Sequence, residues 1–284
     1  MEKSLQLEMP KKRGHWRKKI GREYFIIKRK MHLLRNRRSY AKTKMVLPFW
    51  HELFEHKSFL LRPLRSVDME LQYNKVTNLS IAISHINDIV IKPGEVFSIW
   101  NLVGKPTKSK GYLEGLVLEN GKISRGIGGG LCQLGNLLYW MALHTPLTIT
   151  ERWRHGYDVF PDINRTIPFG CGATLAYNYL DLQLKNETTQ YFKISLWLSD
   201  THLHGRFFSN QPKSVHYEII ERGHIIQQQF WGGYSRHNQI WRKTFDLCDH
   251  HLSEELIAEN HAIMMYQPFL PETTTSDEKK MCYR

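Results

Sequence analysis

No window of this 284-residue chain approaches the ~20 consecutive apolar residues needed to cross a bilayer as a helix. Cysteine is also scarce: Cys132, Cys171, Cys248 and Cys282 stand far apart. That spacing excludes a disulfide-stapled framework and a CxxC redox or zinc pattern, and it fits a reducing compartment. Cys248-Asp249-His250-His251 and His202-Leu203-His204 match no structural zinc spacing, so neither metal nor cofactor is expected. The first 44 residues contain no 7–15-residue apolar core and no small-residue cleavage site. The expected location is therefore cytoplasmic, peripheral to the inner membrane face. No internal repeat is visible.

What the chain does have is positive charge in one place. Its formal net charge is +13, and residues 1–44 hold 16 Lys/Arg against Glu2, Glu8 and Glu23. The remaining residues balance at zero, so the basicity belongs to an N-terminal arm. Within it Trp16, Ile20, Tyr24, Ile27, Met31 and Leu34 recur at spacings of three and four, the period of a helix face, and Phe25, Ile26 and Leu33 broaden that face. Such a helix suits an anionic membrane surface, here assigned to residues 11–38, or docking on the protein's own core. Nucleic acid is the weakest of the three readings.

The rest reads as an α+β fold with a mixed or antiparallel sheet core, a central helix carrying a cysteine, and a β-rich C-terminal part. The expected organisation is a basic helical arm over 1–65, a main domain over 66–200, a β-hairpin region over 201–266 packing on it, and a flexible tail over 267–284. Apolar residues over 46–64 suggest a short helix broken at Pro63, and Val76, Leu79, Ile83 and Ile86 a helix over 75–88. Strands are expected at 89–91 and at Val96 to Ile99, on either side of a Pro93-Gly94 turn. A hairpin is expected about Asn120-Gly121. Further strands fall at 147–151, 173–184, 191–198 and 203–208, with a second hairpin across Arg222-Gly223.

The most specific local feature is Gly128-Gly129-Gly130-Leu131-Cys132-Gln133, running into an apolar helical segment that ends near His144. Three glycines let the backbone turn sharply and approach another chain or a ligand closely. A cysteine in the first helical turn meets free N–H groups and the positive dipole end, which favour a thiolate. The competing reading is a tight turn with a small buried cysteine. Downstream, Glu151-Arg152-Trp153-Arg154-His155-Gly156 offers a histidine as base and arginines suited to a carboxylate or phosphate. Strand alternation separates 152 and 154 from 151, 153 and 155, so the arginine sharing a side with His155 depends on where the strand ends. Either Asp158 or Asp162 would orient His155.

These residues resemble the VanW family. The resemblance is carried in order by Asn78-Leu79, Pro93-Gly94-Glu95-Val96-Phe97-Ser98, Val103-Gly104, Thr107, Gly111-Tyr112, Gly121-Lys122 and the Gly-Gly-Gly-Leu-Cys-Gln run. Glu151-Arg152 with His155, Gly172-Ala173-Thr174, and Asp181-Leu182 with Asn186 complete it, over about residues 70–200. The Leu-Leu-Tyr-Trp-Met, His-Thr-Pro and Pro-Phe-Gly runs at 137–141, 144–146 and 168–170 look like the branch found in vancomycin B-type resistance clusters. Gly135 and Gly172 stand where the pattern usually has a small hydroxyl residue and an aspartate. The resemblance implies a cysteine L,D-transpeptidase-like acyl transfer on peptidoglycan stem peptides or precursors. Cys132 would be the nucleophile and His155 the base. Arg152, Gln133, Gly129, Gly130 and Tyr112 would contact substrate, and N–H groups around Gly130 to Gln133 would form an oxyanion hole. The alternative is a non-catalytic module that binds wall precursors or a partner. No oligomeric state follows from the sequence.

Overall fold

The computed structural model describes residues 6–9, 14–44, 50–61, 68–119, 121–161 and 166–268. It is an α+β protein built on antiparallel sheets. The chain begins with α1 (His15–Arg35) and β1 (Thr43–Lys44), then β2 (His51–Phe59), α2 (Met69–Ile86), β3 (Ile89–Ile91), β4 (Val96–Ser98) and α3 (Ile99–Val103). The hairpin β5 (Glu114–Glu119)–β6 (Lys122–Ile127) leads to α4 (Cys132–Ala142), β7 (Thr148–Glu151) and β8 (Tyr157–Asp158). After β9 (Gln183–Lys185) come β10 (Phe192–Leu198), β11 (His202–Ser209), β12 (Val215–Gln228), β13 (Tyr234–Asp246) and β14 (His251–Met264).

The core sheet has the order β1-β3-β10-β11-β2 and is covered by α2 and α4. Leu134, Leu137, Leu138 and Met141 recur at helical spacing along α4, and each is 0–2% exposed. On α2 the buried residues are Leu71, Gln72, Lys75, Asn78, Leu79, Ala82, Ile83 and Ile86. This helix starts earlier than the apolar pattern suggests because the Asp68 carboxylate caps the Glu70 N–H at 3.0 Å. A second sheet, β12-β13-β14-β8, is antiparallel except for the β14–β8 pair. The smaller β4-β9-β7 sheet lies beside the core.

Several expected elements differ. Residues 51–59 form a strand, not a helix, paired along β11. A bulge there sets Phe207 opposite Phe54 but Phe208 opposite Glu52, so the apolar residues of β2 lose strict alternation and imitate helical spacing. Val46, Leu47, Phe49 and Pro63 lie outside the described residues. Ile99 opens α3, where the Ser98 hydroxyl accepts the Asn101 N–H. Of the expected strand over 173–184 only its end, in β9, is extended: Ala176 bridges to Leu180 around Asn178, whose φ of +48° reverses the chain. Arg222-Gly223 is no hairpin. Residues 215–228 run on as one strand with a bulge between Arg222 and Ile225, and Gly223 at φ +60° supplies the bulge rather than a reversal. The boundary expected near residue 200 falls between β10 and β11, neighbours in one sheet. Residues 269–284, most of the expected tail, lie outside the described residues.

Candidate functional site

The glycine loop is shaped by close approach to its own chain. A Cβ on Gly129 would lie 2.2 Å from the Gly115 carbonyl carbon of β5, and one on Gly115 would lie 2.5 Å from the Gly129 oxygen. Gly128 and Gly130 turn through φ of +75° and +90°. Asn78, fully buried on α2, fastens the loop: its amide donates to Gly129 O at 2.9 Å and Leu113 O at 3.1 Å, and its carbonyl accepts the Leu113 N–H at 2.8 Å. The loop thus delivers Cys132 as the first residue of α4.

Cys132 is half-buried. The Leu175 N–H donates to Sγ at 3.4 Å, and the thiol donates back to Leu175 O at 3.8 Å. Burial pushes the thiol pKa above its ordinary value, against the lowering by the N–H groups of Leu175 and of Cys132 itself. The expected thiolate is therefore not the resting state: desolvation outweighs the helix start, and the thiol donates its hydrogen bond to the Leu175 carbonyl. His155 lies past the end of β7 in a stretch without regular structure. Burial, then the Arg154 charge, holds its pKa below the ordinary value, so the imidazole is neutral at pH 7. No hydrogen bond joins His155 to Cys132 in this structure.

The other expected site residues are engaged within the fold. Arg152 donates through Nε to Gly172 O at 2.7 Å and through an Nη to Gly170 O, and its guanidinium lies 4.7 Å from the centre of the Tyr139 ring. Gln133 donates to Phe59 O and Ser58 Oγ at 2.8 and 2.9 Å, tying α4 to β2. The Gly130 N–H is bonded to Leu116 O and the Gln133 N–H to Gly130 O. Among the described residues the Leu131 N–H makes no backbone hydrogen bond outside the helices and strands, while the Cys132 N–H acts on its own sulfur. Tyr112 is buried and its hydroxyl lacks a partner among the described residues. Asp158 is buried near Arg236 at 3.6 Å and accepts from Tyr266 Oη at 2.9 Å. Asp162 lies outside the described residues. The space that a side chain on residue 172 would occupy is taken by Asn136, whose Oδ1 would sit 2.7 Å from such a Cβ and accepts the Ala173 N–H.

Among the described residues a polar cluster forms where the sequence assigns no role. Glu151 and the fully buried Asp181 face Arg29 of α1, which grips Glu151 at 2.5 and 2.6 Å and lies 3.9 Å from Asp181. Glu151 also accepts from Trp153 Nε1, Gln183 Nε2 and the Asp181 N–H. Burial pushes the Asp181 pKa up to about 6 although Ser98 donates to it at 2.6 Å. The signal available was the pairing of Glu151 and Asp181 with an arm rich in arginine; nothing in it singles out Arg29. A shallow groove of about 540 Å³, lined by Trp140, His144, His216 and Tyr217 among others, opens at the other end of α4 and includes none of the expected site residues.

A model described as "VanW like protein" matches residues 74–208, ending within the last residues of β11. Over 242 residues the chain is 35% identical to Vancomycin B-type resistance protein VanW of Enterococcus faecalis, covering 84% of this chain and 86% of that protein. It is 31% identical over 113 residues to the uncharacterized protein YoaR of Bacillus subtilis, covering 40% of this chain and 36% of that protein. No solved structure matches the chain.

Proposed function

This chain belongs to the VanW family, and from that premise we propose that it is an accessory protein of glycopeptide resistance that transfers an acyl group through Cys132 on peptidoglycan stem peptides or their precursors. The resistance role rests on the name of the Enterococcus faecalis relative. The chemistry rests on one observation: a partly buried thiol at the start of α4 with the Leu175 N–H directed at its sulfur.

The protonation states suit general-base catalysis better than a preformed thiolate–imidazolium pair. A thiol held protonated needs a base as it attacks, and a neutral His155 accepts that proton. Sγ would add to a stem carbonyl carbon while its proton passes to the imidazole. The backbone N–H groups at the start of α4, Leu131 and Cys132, would turn to the oxyanion as it forms. Collapse would form the thioester, and the departing terminal amine would take the proton from His155. An amine of a neighbouring stem would then attack the thioester, lose a proton and release the thiol. No hydrogen bond joins His155 to the sulfur in the unliganded protein, so the mechanism requires the two to meet on substrate binding, as catalytic contacts are often loose in unliganded enzymes.

A second reading is favoured by the missing Cys132–His155 hydrogen bond and by Arg152 being spent on carbonyls of 170–172. In it the same face binds wall precursors without turnover. Alkylation kinetics separate the two. Without ligand, Cys132 is expected to react with iodoacetamide more slowly than exposed Cys248 at pH 7, its rate climbing as pH rises past the thiol's raised pKa. With a tetrapeptide stem the acyl-transfer reading predicts that alkylation of Cys132 is blocked covalently: the block survives removal of free peptide, is reversed by hydroxylamine, and forms more slowly in His155→Ala. Protection that disappears when the peptide is removed would favour the binding module.

A further inference from the structure

Helix α1 has two faces, and only one is covered. The inner face is Ile26, Arg29 and Leu33, at spacings of three and four, with Ile26 9% exposed and Arg29 held by Glu151 and Asp181. At 3.6 residues per turn the stripe Trp16, Ile20, Tyr24, Ile27, Met31, Leu34 falls on the opposite side. It is open to solvent along its length, from Trp16 at 71% to Leu34 at 71%. The sequence pattern had merged these two faces into one. Cations border the stripe on both flanks: Arg17, Lys28 and Arg35 on one, Lys19 and Lys30 on the other.

We propose that this outward stripe docks on an anionic lipid surface. Six apolar side chains, two of them aromatic, would enter the boundary between headgroups and acyl chains. The flanking Lys and Arg stems would lie along that boundary and place their charges among lipid phosphates. Charge complementarity selects this occupant. Residues 1–44 carry the whole net charge of +13, so a second copy of the stripe would meet an identical positive field. Nucleic acid would satisfy the cations but leave the apolar row in water. The Arg29 grip has a consequence for presentation: with the inner face pinned, the stripe cannot roll into the body and stays turned outward. The docking is independent of any reaction at Cys132.

The test is flotation of the full-length protein with vesicles of phosphatidylcholine alone and with about 30 mol% phosphatidylglycerol. Flotation with the anionic vesicles only, weakened by salt, is expected. Trp16→Ser/Met31→Ser and Lys19→Gln/Lys30→Gln should each lower partitioning about tenfold or more while circular dichroism stays unchanged. Both variants change exposed side chains, so neither threatens the fold. Absence of flotation, equal binding to neutral vesicles, or full binding by either variant overturns the proposal. So does concentration-dependent dimerisation without flotation, which would give the stripe to a second copy. Binding of duplex DNA that survives loss of the stripe, without flotation, would give the arm to nucleic acid.

Discussion

Gly129→Ala is expected to cost about 3–5 kcal/mol and to release the loop that seats Cys132. The added Cβ would fall 2.2 Å from the Gly115 carbonyl carbon and 2.3 Å from its oxygen. These are backbone atoms of a paired strand, so no side-chain rotation relieves the overlap; either β5 or the loop must move. Moving the loop also strips Asn78 of the Gly129 carbonyl it donates to, leaving a buried amide short of an acceptor. Urea unfolding measures the loss, and Gly156→Ala is the control, since a Cβ there meets nothing within 4 Å. A loss below about 1 kcal/mol for Gly129→Ala would mean that the close approach to β5 is not what the glycine is for.

Arg29→Ala should be the next most damaging change, at about 2–3 kcal/mol. Removing one partner of a fully buried ion pair costs about 3–5 kcal/mol. The value here is lower because the Arg29 and Glu151 side chains keep 17% and 18% of their exposure. Burial opposes the Arg29 charge, but the Glu151 hydrogen bond and the two carboxylates outweigh it, so the guanidinium stays charged throughout. The pH dependence follows from Asp181. Its folded pKa of about 6 lies above its ordinary 3.8, so the folded state binds the proton more tightly and stability falls as pH rises from about 4 through about 6. Arg29 offsets part of that fall by stabilising the aspartate charge. Arg29→Ala should therefore lose more stability at pH 7.5 than at pH 5, where Asp181 is mostly protonated. Equal losses at the two pH values would remove Asp181 from the account.

Both effects arise at residues whose type was visible in the sequence while their partners were not. Asn78, Glu151, Asp181 and Asn186 carry the family pattern, and the structure uses each as a polar clamp in a buried or nearly buried setting. A polar residue inside an apolar stretch is legible as a sequence feature. What it fastens depends on contacts such as the 122-residue separation between Arg29 and Glu151, which no local pattern encodes. The same limit explains the elements. The triglycine turn, α4 and the β5–β6 hairpin were legible because their backbone demands are local. Bulges in β2 and β12 were not, because a bulge is defined by the strand opposite and shifts the alternation from which a strand is recognised. For the thiol, the helix start was legible, but neither the burial that raises its pKa nor the opposing Leu175 N–H, 43 residues on, is encoded in a local pattern.

The central claim is that Cys132 carries an acyl group. Intact-protein mass spectrometry after mixing with a tetrapeptide stem tests it most directly. The acyl-transfer account predicts a mass increase equal to the stem less the free terminal amino acid it releases, localised to Cys132 by proteolysis, absent in Cys132→Ala and formed at least about tenfold more slowly in His155→Ala. An unmodified wild-type protein that binds the peptide, or an adduct that persists in Cys132→Ala, would contradict it.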